Sequence, residues 1–376
     1  MALRIFSVLN ARGLPLHAID VFKVELLKKL AKEKDQEEFV SRWNALRQKC
    51  SENESKFPKR KENKREKNAA EILFSWYLTY LHPVTSGKNM EERLADQFER
   101  LNKTPLEYLK GVEDFYNAYC WVLEMQDRHA HLLSYLASDF WRVILCTSLL
   151  HDYSESEIEA LKELLVKFYY QNWVAEQKEP KQTNCNIIKV LKEKKSVEDI
   201  ASIVKKYLDE NKITQNFREK LKDDHLYEEH KKNSKNSWLR PILILVEYFM
   251  SDDPKPKRIQ TNDFHVEHIL PQKPNLSSQW AKDFSEEERE HYTHSLANLT
   301  LLGGKKNSQA SNLDFKDKKK IYMGEEISLS KKKTFRVMTC YKMTIDIAHH
   351  YTEWTPKSLE KRKEELIKII ESVLTL

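Results

Sequence analysis

Four side chains in the last third of the 376-residue chain have the types and spacing to hydrolyse a phosphodiester. Glu267 and His268 are adjacent; Asn298 and then Asn307 follow. Hydrolysis at neutral pH needs a base to activate water and a cation to stabilise charge on the scissile phosphate and leaving oxygen. An imidazole, with an ordinary pKa near ~6.5, suits the first task. Carboxylate and amide oxygens suit a hard divalent cation, Mg²⁺ foremost, with Mn²⁺ or another divalent ion as substitutes. Lys305 and Lys306 stand beside Asn307 at what reads as a helix start, a place that favours an anion such as a DNA phosphate. Together with Lys316, Lys319 and Lys320 they are expected to bind the DNA backbone without reading its sequence. Lys318 falls in the same basic run, and His265 is an auxiliary candidate for phosphate contact.

These residues require two strands and a helix to position them. Residues 264–270 have strand-like types and stop at Pro271; residues 295–302 form a second candidate, stopped by Gly303 and Gly304. On a strand, Glu267 and His268 point to opposite faces unless a bend or bulge intervenes. Residues 307–322 read as the helix, and 335–351 and 356–374 as two more. Upstream, residues 1–250 read as helix after helix, among them 106–125, 132–149 and 238–250. Breakers fall at Pro58, Pro83, Pro105 and Pro180, and the best linker is 252–258, with two prolines among charges. The Trp and Tyr stripes of this region, including Trp76, Trp121 and Trp141, read as core packing.

The expected fold class is therefore mostly α with a small α+β unit. A helical lobe over 1–250 precedes a domain over 259–376, whose ββα core spans about 264–322. Only 6 glycines argue against sandwiches, barrels and Gly-rich phosphate loops, so no nucleotide site is evident. The net charge of +6 permits a polyanionic partner without demanding one. Residues 56–67 form a basic run, read as a solvated face or a phosphate-contacting arm. Five scattered cysteines without a CxxC pair fit a reducing compartment. No stretch is apolar enough to span a membrane, and the chain reads as cytoplasmic.

Val266-Glu-His-Ile-Leu-Pro-Gln272, then Leu296-Ala-Asn-Leu-Thr-Leu-Leu302, then Asn307, resembles the HNH (ββα-metal, His-Me finger) nuclease domain. The resemblance is closest to the branch in GmrSD-type, modification-dependent restriction and phage-defence systems. It implies His268 as general base, Glu267 and Asn307 as metal ligands, and Asn298 as the structural asparagine that bonds backbone and orients the base. Glu at the first position departs from the commoner Asp. Asn312-Leu-Asp-Phe315, Tyr322, Trp354 and Arg362 match the helical tail of this branch. Residues 5–16, with Asp20 and Lys23, resemble a segment that follows its nucleotide-sensing lobe. That lobe's Asp-Gly-Gln-Gln-Arg signature is absent from the chain. The resemblance thus implies the C-terminal portion of a larger protein or a separately encoded nuclease half. Its implied partners are double-stranded DNA, modified or unmodified, and a nucleotide-sensing lobe or subunit. The helical lobe would contact DNA, dock that lobe or form a homodimer.

Two rivals stand beside this reading. One is a catalytically inactive regulatory or binding module that uses the nuclease fold as a scaffold. The other is zinc held by His265, His268, His291 and His294, although strand spacing does not put both rings of a His-x-x-His pair on one face.

Overall fold

Helix starts are written into this sequence as capping boxes. Asn68 with Glu71, Asn89 with Glu92 and Thr104 with Glu107 each exchange side-chain and backbone hydrogen bonds at a helix N-terminus. A computed structural model describes residues 18–58, 61–62, 65–100, 102–232, 237–327 and 336–376. The upstream segment 5–16 and part of the basic run 56–67 lie outside these. The chain is 67% helical with only short strands, the expected fold class. No helix among the described residues is long and apolar enough to cross a membrane.

The chain divides into two compact units, one of Met1–Met125, Asp139–Glu159 and Pro180–Ile203, the other of Gln126–Ser138, Ala160–Glu179 and Val204–Leu376. The first contains α1 (Ala18–Lys28), α2 (Glu33–Glu52), a small hairpin of β1 (Lys61–Glu62) and β2 (Arg65–Glu66), α3 (Ala69–Leu81), α4 (Met90–Glu99) and α5 (Pro105–Glu124). Its core is aromatic: Trp43 packs on Phe74, and Tyr119 on Phe57 and Trp76. Trp121 differs from expectation, at 62% exposed. It lies two residues beyond buried Tyr119, about 200° around the helix, and so faces away from the core.

The helix expected over 132–149 is two helices. α6 (Arg128–Leu133) belongs to the second unit and α7 (Phe140–Leu150) to the first. α8 (Glu155–Ala175), α9 (Lys181–Lys192) and α10 (Val197–Glu210) follow.

The second unit continues with α11 (Ile213–Leu221), α12 (Leu226–Lys232) and α13 (Leu239–Phe249). β3 (His265–His268) comes next, then α14 (Gln279–Asp283), α15 (Glu286–Tyr292), β4 (Leu299–Leu302), α16 (Gly304–Ala310), α17 (Phe315–Met323), α18 (Lys342–His350) and α19 (Pro356–Leu374). β3 and β4 are antiparallel, with His265 opposite Leu302 and His268 opposite Leu299. The first half of the second expected strand is instead a 3-10 turn over Leu296–Asn298. The helix expected over 307–322 breaks at Ser311, whose φ of +35° no helix accommodates. Asn312 there donates to the Lys273 carbonyl, and Asp314 accepts from the Gln279 amide, so the break ties the helical segment to the loop after β3. Ile269, Leu270, Trp280, Phe315, Tyr322 and Trp354 belong to the core beneath this unit.

Candidate active site

The β3–β4 register is regular, so no bulge intervenes and Glu267 and His268 leave the strand on opposite faces. Glu267 is 5% exposed. Its Oε1 accepts from Lys318 Nζ at 2.6 Å and from the Tyr322 hydroxyl at 3.3 Å, both on α17. Lys318 is 0% exposed and donates again, to the His268 carbonyl at 2.7 Å. Glu267 accepts and Lys318 donates in every bond, the pattern of the charged pair. Burial pushes the Glu267 carboxyl above its usual range and the Lys318 ammonium below its own, and their attraction offsets part of each.

His268 faces the other way and is 7% exposed. Tyr227 of α12 meets its ring edge-on, with centroids 4.3 Å apart, and the His294 ring lies 5.5 Å away. The Gln272 amide is 3.3 Å from Nδ1. Nε2 is buried without a hydrogen-bond partner. Burial foremost, with His294 and Lys318 adding to it, lowers the imidazole pKa to about 3, which keeps the ring neutral at pH 7. Gln272 and His294 also line a groove of about 290 Å³ whose other walls include Glu228, Glu286 and Arg289.

Asn298 is fully buried and fully bonded. Its Oδ1 accepts from the Leu270 amide at 2.7 Å and from Trp354 Nε1 at 3.2 Å. Its Nδ2 donates to the Leu270 and Thr293 carbonyls at 2.8 and 2.9 Å. Arg362, also buried, donates to the Ala297 and Leu299 carbonyls on either side. Every polar atom of Asn298 is thus spent on the protein itself, and it fixes the chain just after His268.

Asn307 lies on α16, and its Oδ1 is buried with no partner. α16 packs on β3. A Cβ at Gly304 would come within 3.3 Å of His265 Nε2, so the exposed His265 ring lies against the helix start. His265 and Glu267 share a strand face, which puts α16 on the Glu267 side. The structure therefore groups His265, Glu267 and the helix of Asn307 on one face, and places His268 on the other.

The lysines differ in exposure. Lys305 and Lys316 are exposed. Lys306 is buried and donates to the Ile321 carbonyl. Lys319 donates to the Tyr351 carbonyl at 2.6 Å, and Lys320 pairs with Asp317 at 3.2 Å. Among the described residues, no three of the four histidines bring nitrogens together around one ion. His291 instead contacts Asp224 at 3.0 Å, and His294 lies 3.7 Å from Glu228.

A hard cation fits the Glu267 face. Asn307 Oδ1 is an amide oxygen left without a donor, and both bonds to Glu267 land on Oε1. Three contacts escape a reading by motif: that of Tyr227 with His268, that of Tyr322 with Glu267, although Tyr322 itself matches the helical tail, and the pairing of Lys318. For the last two a signal exists, because Phe315, Lys318 and Tyr322 fall on one helical face with the core residue Ile321. Nothing near Tyr227 in sequence points to His268.

No curated protein matches the chain. Residues 212–369, which hold β3, β4 and every residue placed at the site, match the family model of GmrSD restriction endonucleases, C-terminal domain.

Proposed function

We propose that this protein is a metal-dependent DNA endonuclease of HNH type. It would be the effector part of a GmrSD-like restriction and phage-defence system, acting on double-stranded DNA and served by a separate nucleotide-sensing lobe or subunit. One observation carries the reading. Two buried polar atoms, His268 Nε2 and Asn307 Oδ1, lack partners on two elements packed together, inside a segment similar to a restriction-endonuclease domain.

In this reading Glu267 and Asn307 would hold a divalent cation, which would supply charge stabilisation for the scissile phosphate and the leaving oxygen. His268, neutral at pH 7, takes a proton from the attacking water at Nε2. Gln272 Nε2 lies 3.3 Å from Nδ1 and can only donate there, so a lone pair at His268 Nε2 requires the Gln272 amide to turn its oxygen toward Nδ1. Asn298 holds the chain after His268 so that the ring does not turn away. Because Glu267 and His268 occupy opposite faces, the substrate phosphate lies across the end of β3, where residues 269–271 leave the sheet. Lys316 is an exposed cation suited to the flanking backbone.

Nicking of supercoiled plasmid with Mg²⁺ or Mn²⁺ tests the proposal. The native chain should nick, and His268→Ala should lose at least about a hundredfold in rate, as expected for a general base. Equal rates would sink the role of His268.

The buried Glu267–Lys318 pair and the covered His268 ring favour a second reading, a scaffold that binds DNA or a partner without cutting. That reading predicts binding unchanged by EDTA and by Asn307→Ala, with no nicking under any metal.

A further inference from the structure

Lys318 stands out because a fully buried ammonium is costly and here has two partners, both on the dipeptide at the heart of the site. A carboxylate offered to a divalent cation ordinarily contributes its full negative charge. The charge of Glu267 is already met by a cation at 2.6 Å. Asn307 is neutral, and His268 leaves the strand on the opposite face. The Glu267 face together with Lys318 therefore carries no net charge for a divalent ion to meet.

We propose that Lys318 is a positioning residue that sets the metal affinity of the site. It fixes Glu267 through Oε1 and cancels its charge, so that the protein alone holds a divalent cation weakly. The phosphate of bound DNA then supplies the missing negative charge, and the cation is held firmly only with substrate in place. Coulomb repulsion between an ammonium and a divalent ion sharing one carboxylate is large even in a partly polar interior, so it outweighs the loss of one anchor on Glu267. The inference rests on Glu267 being a metal ligand, as proposed above.

The test uses the full chain with Mn²⁺ alone as probe, read by electron paramagnetic resonance of free Mn²⁺ and by thermal melting. Lys318→Gln removes the charge and keeps two amide donors for Glu267 and the His268 carbonyl. It should bind Mn²⁺ at least about tenfold more tightly than the native chain and gain more melting temperature from it. Lys318→Arg keeps the charge and should match the native chain. Should Lys318→Gln fail to fold without metal, Mn²⁺-dependent folding of that variant is the expected result. Failure to fold with Mn²⁺ present would overturn the inference.

Glu267→Gln separates this inference from the reading beneath it. If that variant loses Mn²⁺ while Lys318→Gln binds as the native chain does, Lys318 does not set the affinity and the ligand role of Glu267 survives. If Glu267→Gln binds Mn²⁺ like the native chain, Glu267 is not a ligand and both fall.

Discussion

At the residue scale, Asn298 and His268 make separable demands on the fold. Asn298 meets the Leu270 amide, two carbonyls and the Trp354 indole, all in the interior. Asn298→Ala leaves those groups buried without partners and should cost about 3 kcal/mol in urea unfolding, whereas Trp354→Phe, which withdraws one donor from Asn298, should cost about 1 kcal/mol through that bond. A loss under about 0.5 kcal/mol for Asn298→Ala would mean that the loop after β3 is held by something else. His268 makes its demand through pH. Its folded pKa is depressed to about 3 by burial, while the unfolded imidazole titrates near ~6.5. Between those values the unfolded chain binds a proton that the folded chain refuses. Stability from the neutral ring is therefore complete above about pH 6.5 and falls as pH drops through that window, by up to about 1.4 kcal/mol per unit. Urea melts in EDTA at neutral and mildly acidic pH should show this slope, and His268→Asn should flatten it by one proton.

At the element scale, α12 covers His268. Tyr227 stacks edge-on against His268, lies parallel to the His294 ring, and donates its backbone N–H to the His294 carbonyl at 3.1 Å. In the proposed mechanism the buried Nε2 has to reach water, which requires α12 to shift. Diethylpyrocarbonate should label His268 slowly in the native chain and faster in Tyr227→Ala, read residue by residue by mass spectrometry. Equal labelling would show that α12 does not shield the ring. This cover illustrates which parts of the site are legible in sequence. Strand residues before Pro271, the Gly303–Gly304 stop and the Asn-Leu-Thr-Leu-Leu run are local signals, and the structure has strands there. The turn over Leu296–Asn298 was hidden, because Asn298 must bend the chain to reach Leu270, a demand set 28 residues away. Lys318 read as one more basic residue in a lysine run. Only its place on the buried face of α17 marks it as a partner of Glu267. Long-range pairing and the contact of α12 with β3 are products of packing, which local propensity does not encode.

At the scale of the whole molecule, the proposed DNA binding must come from the placement of charge and not from its sum. Lys and Arg number 64 against 58 Asp and Glu, a surplus of 6 spread over 376 residues, too small to direct a polyanion to one place. Nor does the number of lysines near Asn307 measure the electrostatic footprint. Lys306 and Lys318 are buried, and Lys319 and Lys320 have partners within the protein, while Lys316 is exposed. Each phosphate contact releases counterions, so the dependence of affinity on salt counts contacts, where a structural lysine changes stability instead. Fluorescence anisotropy with a short duplex, between about 50 and about 200 mM salt, should show Lys316→Ala lowering the slope of log affinity against log salt by about 0.9. Lys306→Ala should leave that slope unchanged and lower the melting temperature, because the Ile321 carbonyl loses one of its two donors and keeps only the Gly324 N–H. The reverse pattern, with Lys306 changing the slope and Lys316 silent, would mean that α16 opens on DNA and that the lysine now turned inward becomes a backbone contact.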